Sequence, residues 1–379
     1  MSGSARHILL VVSSLSAGGA ERVITEMARW WASRNQRVTV LTLSGTDEDH
    51  YRLAPGVERI ALNFWGRART PWQAIDKRAD RFIKLRRSII RARPDVVISF
   101  IDITNMRTVA ALMGTGIPVV VSERIDPRYH HLHPFWSLSR RLLYPLSHAL
   151  VVQTGSVTAW ARRVVPEKKL WVIGNFVRNL PGRTGQSINH REQIILAIGR
   201  LVEQKGHDLL IRAFARAHAA EAGWRLVILG EGPQRPALEK LVLNLGIRDA
   251  VSLPGIVNEP AELLSRAGIF VLPSRYEGFP NALLEAMACG CAVIAADCPS
   301  GPAEIIHDGM NGLLVPKEDI ASLSDALLKL MHDSGLRERM GTQALRVKKA
   351  FSQESIMARW NALIENILGK GDLSDERRT

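Results

Sequence analysis

Pro273-Ser-Arg-Tyr-Glu277-Gly-Phe-Pro-Asn281-Ala-Leu-Leu-Glu285-Ala-Met-Ala-Cys-Gly290 joins the apolar run Ile269–Leu272 to a second one, Ala292–Ala295. A β-branched run, a loop with Gly and Pro, and an apolar-periodic stretch closed by Gly read as strand, turn and helix. Pro280 suits the first helical turn, where a missing N–H costs nothing. The free amides there, with the helix dipole, form an anion site suited to phosphate, which makes Gly278, Phe279, Pro280 and Asn281 candidate donor-binding residues. Glu277 lies just outside that terminus and Glu285 about one turn inside it. Carboxylates there repel a phosphate but accept hydrogen bonds from hydroxyls beside it. A nucleotide sugar carries such hydroxyls on both sides of its diphosphate, on the ribose and on the sugar.

The same strand–turn–helix unit recurs along the chain. Gly199-Arg200-Leu-Val-Glu-Gln-Lys205-Gly206 follows a strand and opens a helix, so Arg200 and Lys205 can reach a diphosphate from the same sheet edge. Strands in the second half are expected at Ile194–Ile198, Arg225–Leu229, Val251–Leu253, Ile269–Leu272, Ala292–Ala295 and Gly312–Val315. Helices are expected over Gly206–Ala220, Gln234–Leu245, Pro260–Arg266, Asn281–Ala288 and Ile320–Met331. The first half repeats this rhythm, with strands at Ile8–Ser13, Val38–Leu43, Val96–Phe100, Val119–Ser122 and Leu150–Gln153 and helices that include Ala20–Ala32 and Arg78–Arg91. Such alternation predicts an α/β chain with parallel sheets. Residues 179–190, rich in Gly, Ser, Asn and Pro, read as a linker between two doubly wound domains. Domains of this kind bind ligands at their strand C-termini, here expected to face a shared cleft.

A chain of 379 residues accommodates two domains. No run approaches the ~18 apolar residues of a membrane span. The N-terminal Ile8–Val12 run is too short for a signal-peptide core, and no small-residue cleavage site follows it. Cys289, Cys291 and Cys298 are an odd set, neither a disulfide framework nor a zinc site, and read as small buried thiols in a reducing compartment. The net charge of +13 is one-sided: residues 1–190 hold 28 Lys/Arg against 13 Asp/Glu, and residues 191–379 hold 22 against 24. An anionic partner is therefore expected for the first half. Ten Lys/Arg between Arg67 and Arg93, interspersed with Trp65, Trp72, Phe82, Ile83, Ile89 and Ile90, read as a face for an anionic membrane. Nucleic acid is not expected, since no recognised module accompanies the charge. A solvated basic helix packed by its apolar face is the plainer alternative.

Glu277-x7-Glu285 followed by Ala-Met-Ala-Cys-Gly, together with Gly199-Arg200, Lys205-Gly206 and Gly230-Glu231-Gly232-Pro233, resembles the retaining glycosyltransferases of family 4. The resemblance covers most of residues 192–351. It implies the GT-B fold: two Rossmann-like domains, 1–180 for the acceptor and 181–351 for the nucleotide sugar. It also implies a last helix within 352–379 that crosses back to the first. In this family Arg200 and Lys205 would hold the diphosphate and Glu285 the ribose, while Glu277 would orient the donor sugar beside its anomeric carbon. Val257 matches a position that contacts the base through its backbone.

In the first half, Ser16-Ala-Gly18-Gly19-Ala-Glu21-Arg22 follows a strand but is not Gly-x-Gly-x-x-Gly, which disfavours a dinucleotide site. It resembles the family's first loop, with Gly18 and Gly19 near the donor phosphate and Glu21 on the acceptor side. Ser122-Glu123-Arg124, which also follows a strand, suits the acceptor hydroxyl or its pyrophosphate and resembles a triplet in relatives that extend lipid-linked oligosaccharides. The triplet lacks the histidine that many members carry nearby, so His130 or His131 is the candidate for an acceptor contact. Asp47-Glu48-Asp49 has a metal-like form but reads as a solvated loop. No metal or cofactor is expected, because Arg200 and Lys205 supply positive charge.

These readings converge on a cytoplasmic enzyme, peripheral on the inner face of the cytoplasmic membrane. It would move a hexose or N-acetylhexosamine from a nucleotide diphosphate donor, taken as UDP, to a polyprenyl-pyrophosphate-linked glycan. A nucleotide-sugar epimerase on the same fold and a non-enzymatic membrane-binding protein are the alternatives.

Overall fold

The computed structural model describes residues 5–16, 18–47, 49–64, 71–130, 132–178, 191–257 and 260–369, with backbone alone for 71–78. His131, Glu48, the linker stretch 179–190 and the tail from 370 lie outside the described residues, as do Trp65, Arg67, Arg69 and the side chains of Trp72, Lys77 and Arg78. The chain divides into two compact units, Met1–Gly174 with Ile356–Thr379, and Asn175–Ser355.

The first unit is built on strands β1 (His7–Val12), β2 (Arg37–Thr42), β3 (Val57–Ala61), β4 (Val96–Phe100), β5 (Val119–Ser122), β6 (Ala149–Val152) and β7 (Leu170–Val172). All seven pair in parallel in the order β3-β2-β1-β4-β5-β6-β7. Helices α1 (Gly19–Ala32), α2 (Pro71–Ala92), α3 (Asp102–Leu112), α4 (Pro134–Leu143) and α5 (Thr158–Ala161) connect them. The chain moves one way through β1, β2 and β3, then the other way from β3 through β4, β5 and β6. Right-handed crossovers therefore put α1 on one face of the sheet and α2, α3 and α4 on the other. That second face closes over a core of Leu9, Val11, Leu85, Ile89, Met106, Val109 and Tyr144.

The second unit carries β8 (Glu192–Ile198), β9 (Arg225–Leu229), β10 (Val251–Gly255), β11 (Ala267–Leu272), β12 (Ala292–Asp297) and β13 (Leu313–Pro316), ordered β10-β9-β8-β11-β12-β13. Its helices are α6 (His207–His218), α7 (Arg235–Asn244), α8 (Ala261–Arg266), α9 (Asn281–Ala288), α10 (Pro302–Ile305), α11 (Ile320–His332), α12 (Ser334–Ala344) and α13 (Val347–Ala350). The order reverses between β8 and β11, the switch point at which such sheets bind ligands. The last helix, α14 (Gln353–Ile367), belongs from Ile356 onward to the first unit. There Trp360 meets the Phe100 ring at 6.4 Å, and Trp31 Nε1 donates to Asn361 Oδ1 at 2.9 Å.

The expected strands are present. The edge strand β3, the three-residue β7 and the helices α3, α4 and α12 are additions to the named expectations. α2 begins at Pro71, ahead of the expected Arg78.

Candidate active site

In the second unit β8 and β11 are neighbours, so the loops that leave them lie side by side. Gly206, at φ 64°, makes that approach possible: a Cβ there would stand 2.1 Å from the Pro273 carbonyl oxygen. The Arg275 amide donates to Gln204 O at 2.8 Å, and Gln204 Nε2 donates to Tyr276 O at 2.9 Å. The Arg275 guanidinium grips Asp208 with two bonds of 2.9 Å and also reaches Glu203 O and Glu318. Zipping the loops together brings Lys205 onto Glu277, with Nζ 2.7 and 2.9 Å from the two carboxylate oxygens. Ser274 Oγ donates to the same carboxylate at 2.6 Å. The Glu277 side chain is 5% exposed and that of Lys205 19%. Glu277 is thus held from two sides, which suits a carboxylate that orients a hydroxyl more than one that must swing into attack. Cys298 lies close by, and burial first, with the Glu277 charge adding, pushes its thiol up to about 12.

Pro280 is a correction to the reading of this loop. It takes φ −84° and ψ 70°, so it is the cap residue, and the helical turn starts at Asn281. The Asn281 amide donates to Phe279 O at 2.9 Å, and the amides that follow it in the first turn of α9 have no acceptor within the helix. Asn281 Oδ1 accepts from Asn175 Nδ2 at 2.8 Å, Phe279 packs on Phe351 at 6.1 Å, and Glu285 is buried one turn into the helix. Gly278 is half-buried between them. Arg200 is exposed, and its side chain has no hydrogen bond or ion pair among the described residues. Val257 is half-buried against the core that contains Phe270 and Leu229. Sequence reading passes over Ser274, Arg275, Gln204 and His207, whose signal was their place in the two loops. His207 is buried beneath the first loop, and its pKa is down to about 4 through burial and then Lys205, so it is neutral. The three cysteines are free; burial raises Cys289 to about 11 and Cys291 to about 12, as expected for packed thiols.

In the first unit the candidate acceptor residues Ser122, Glu123 and Arg124 are all buried, as Glu277 and Glu285 are in the second. Ser122 is fully buried. Glu123 is buried and accepts a short hydrogen bond from Tyr144 Oη, while Arg140 Nη1 stands 3.9 Å away. Burial raises its carboxyl to about 7. Arg124 turns the other way, with its guanidinium 4.8 Å from the Phe100 ring and 6.0 Å from Trp360, and burial lowers it to about 9. What remains half-exposed here is His130, whose Nε2 lies 3.2 Å from Asp102 Oδ2. The bond to Asp102 raises the His130 pKa. Burial of Asp102 works to raise its own pKa, but bonds from His130 and the Ile103 amide more than offset it, and the value falls. Asp102 is aimed there by Ile101, which takes φ 70° and ψ 139°. That conformation costs a β-branched residue roughly 1–3 kcal/mol and tends to occur at functional sites.

Gly18 caps α1 with the Glu21 carboxylate folded close against it, and Gly19 is exposed at the first position of the helix. Asp49 is not solvated as read: it pairs with Arg59 at 2.8 Å, both side chains largely buried.

Two doubly wound parallel sheets in one chain are the architecture of the GT-B class of glycosyltransferases. Two family models match this chain in succession, Glycosyltransferase Family 4 over residues 17–178 and Glycosyl transferases group 1 over residues 183–347, and the chain belongs to this glycosyltransferase family. It is 29% identical over 362 residues to a Campylobacter jejuni N-acetyl-D-galactosaminyltransferase that acts on GalNAc-GalNAc-diNAcBac-PP-undecaprenol, covering 95% of this chain and 98% of that one. A second transferase of that organism, named for N-acetylgalactosamine-N,N'-diacetylbacillosaminyl-diphospho-undecaprenol, is 28% identical, with 92% and 96% covered. HepE from Anabaena, solved with UDP and glucose, shares the fold at a TM-score of 0.78 and 18% identity, covering 95% of this chain and 100% of that one.

Proposed function

We propose that this glycosyltransferase moves a hexose or N-acetylhexosamine from a UDP-sugar to a polyprenyl-diphosphate-linked glycan, with retention at the anomeric carbon and without a metal. The Lys205–Glu277–Ser274 cluster at the start of α9 carries the reading. Lys205, with Arg200 and the first amides of α9, faces the region where the leaving diphosphate gathers charge. Fixed cations and dipoles there stabilise the transition state more than the ground state. Glu277, pinned by Lys205 and Ser274, accepts from a donor-sugar hydroxyl, and Glu285 accepts from the ribose. The anomeric carbon loses its bond to the diphosphate oxygen and gains one to the acceptor oxygen on the same face. The acceptor proton passes to the departing phosphate oxygen.

The relatives' undecaprenol-linked substrates and HepE's UDP support the choice of acceptor and donor. His130, held by Asp102 with its pKa raised, is the group we assign to the acceptor diphosphate. The excess of cations in residues 1–190 supports work at an anionic membrane face on the cytoplasmic side.

Nucleotide diphosphate release is to be measured over a panel of UDP- and GDP-sugars, in EDTA, with and without a polyprenyl-lipid extract. Release that needs one UDP-sugar and the extract supports the reading. Release only on adding a divalent cation overturns metal independence, and epimerised sugar formed without extract overturns transfer.

A further inference from the structure

The first unit displays an apolar ridge that the proposed chemistry does not use. On α4 and the turn after it, Phe135, Leu138, Leu142 and Leu146 are 62, 58, 63 and 53% exposed. Their spacing of three, four and four residues lines one face of a helix. The opposite face already does the packing, with Trp136 and Leu143 against the core and Arg140 buried over the Trp160 ring. α4 is therefore apolar on both sides while one side meets solvent, which is unusual for a helix with no partner.

Near the ridge in sequence the exposed charge is of one sign. From residue 103 to 166 the chain carries two carboxylates, Glu123 and Asp126, and both are buried. Arg107, Arg128 and Arg141 are exposed over the same span. α2 packs on α3, and α3 on α4, so the exposed Arg87 and Arg91 belong to the same layer, as do the exposed Phe82, Ile83, Ile90 and Met113. Apolar side chains that project from a cationic layer match the interface of an anionic bilayer, where chains sink to the acyl boundary and cations meet headgroups. A second copy docking the same face would set these arginines against each other with no exposed carboxylate of the ridge to relieve them.

We propose that the α4 ridge of Phe135, Leu138, Leu142 and Leu146 inserts into an anionic bilayer surface, with Arg141 and the exposed cations of α2 and α3 on the headgroups. This deepens the membrane reading above, and it moves the insertion from basic α2 to a helix that composition alone does not single out.

The test is co-sedimentation of the full chain with phosphatidylcholine vesicles, with or without phosphatidylglycerol, and needs neither donor nor acceptor. The wild type binds the phosphatidylglycerol vesicles. Leu138→Glu with Leu142→Glu lowers partition about tenfold or more, and Phe135→Ser with Leu146→Ser lowers it with no added charge. All four positions are exposed, so melting temperatures stay at the wild-type value. Arg87→Glu with Arg91→Glu weakens binding mainly at low salt. Vesicle binding by the Leu138/Leu142 variant equal to wild type overturns the proposal, as does a wild type that ignores vesicles. A wild-type dimer in sedimentation velocity that the same variant dissociates would instead assign the ridge to a second copy. Failure of the sugar-transfer reading leaves all of these outcomes unchanged.

Discussion

Ser274 and Glu277 leave β11, Ser122 and Glu123 leave β5, and each pair has a cation close by in sequence. The outcomes are opposite. Glu277 keeps Lys205 at 2.7 Å and Ser274 at 2.6 Å beside half-open loops. Glu123 has Arg124 as its next residue yet does not pair with it. Successive residues of an extended chain point to opposite faces. Glu123 goes into the layer of α3 and α4, where Tyr144 meets it, and Arg124 goes toward Phe100, Met27 and Trp360. Helices cover both faces of this sheet, so both residues are buried. After β11 the chain runs across the strand ends toward the neighbouring loop, and its carboxylate meets a cation 72 residues away in sequence.

Substitutions can break or sharpen this contrast. Glu277→Gln retains the shape and loses the charge; turnover should fall about a hundredfold or more while the donor Kd changes little. Equal losses in both would remove the orienting role. Lys205→Met leaves Glu277 buried without its cation, and a loss of roughly 3 kcal/mol in denaturant unfolding is expected along with lost activity. Glu123 should behave differently. Its folded pKa of about 7 lies above the unfolded value, so the acid form stabilises the fold at low pH, and that stability is lost as pH rises through 7. Between about pH 4.5 and 8 the loss is on the order of 3 kcal/mol. Glu123→Gln should flatten that profile, and a profile parallel to wild type would contradict the buried-acid account. Smallest of all, Arg124→Met replaces a guanidinium lodged among aromatic rings with an apolar chain, and unfolding should shift by no more than about 1 kcal/mol.

Much of the fold was legible in the residues because buried parallel strands are short runs of Val, Ile and Leu bounded by turns. Those runs placed β1, β4, β8, β11 and β12. β3 and β7 escaped because they are edges: Val57–Ala61 carries Glu58 and Arg59 side by side and is only half-buried, and Leu170–Val172 spans three residues. The loops after β8 and β9 were legible since their glycines answer to backbone contact. Gly230, at φ 141°, would drive a Cβ to 2.0 Å from the Gly199 carbonyl oxygen. Arg275 was passed over because an arginine in a loop carries no mark of the Asp208 it grips. The α4 ridge was invisible for a related reason, since period alone does not tell an inward stripe from an outward one.

The sequence by itself determined the two parallel-sheet domains, the loop–helix unit with its Glu277-x7-Glu285 spacing, and the cationic character of the first half, since all three are properties of local order and composition. Tertiary structure alone decided that Lys205 closes on Glu277, that Glu123 and Arg124 are buried back to back, and that His130 rests on Asp102. Each of these depends on which strand ends become neighbours and which face a side chain takes, and that is settled by packing distant segments together.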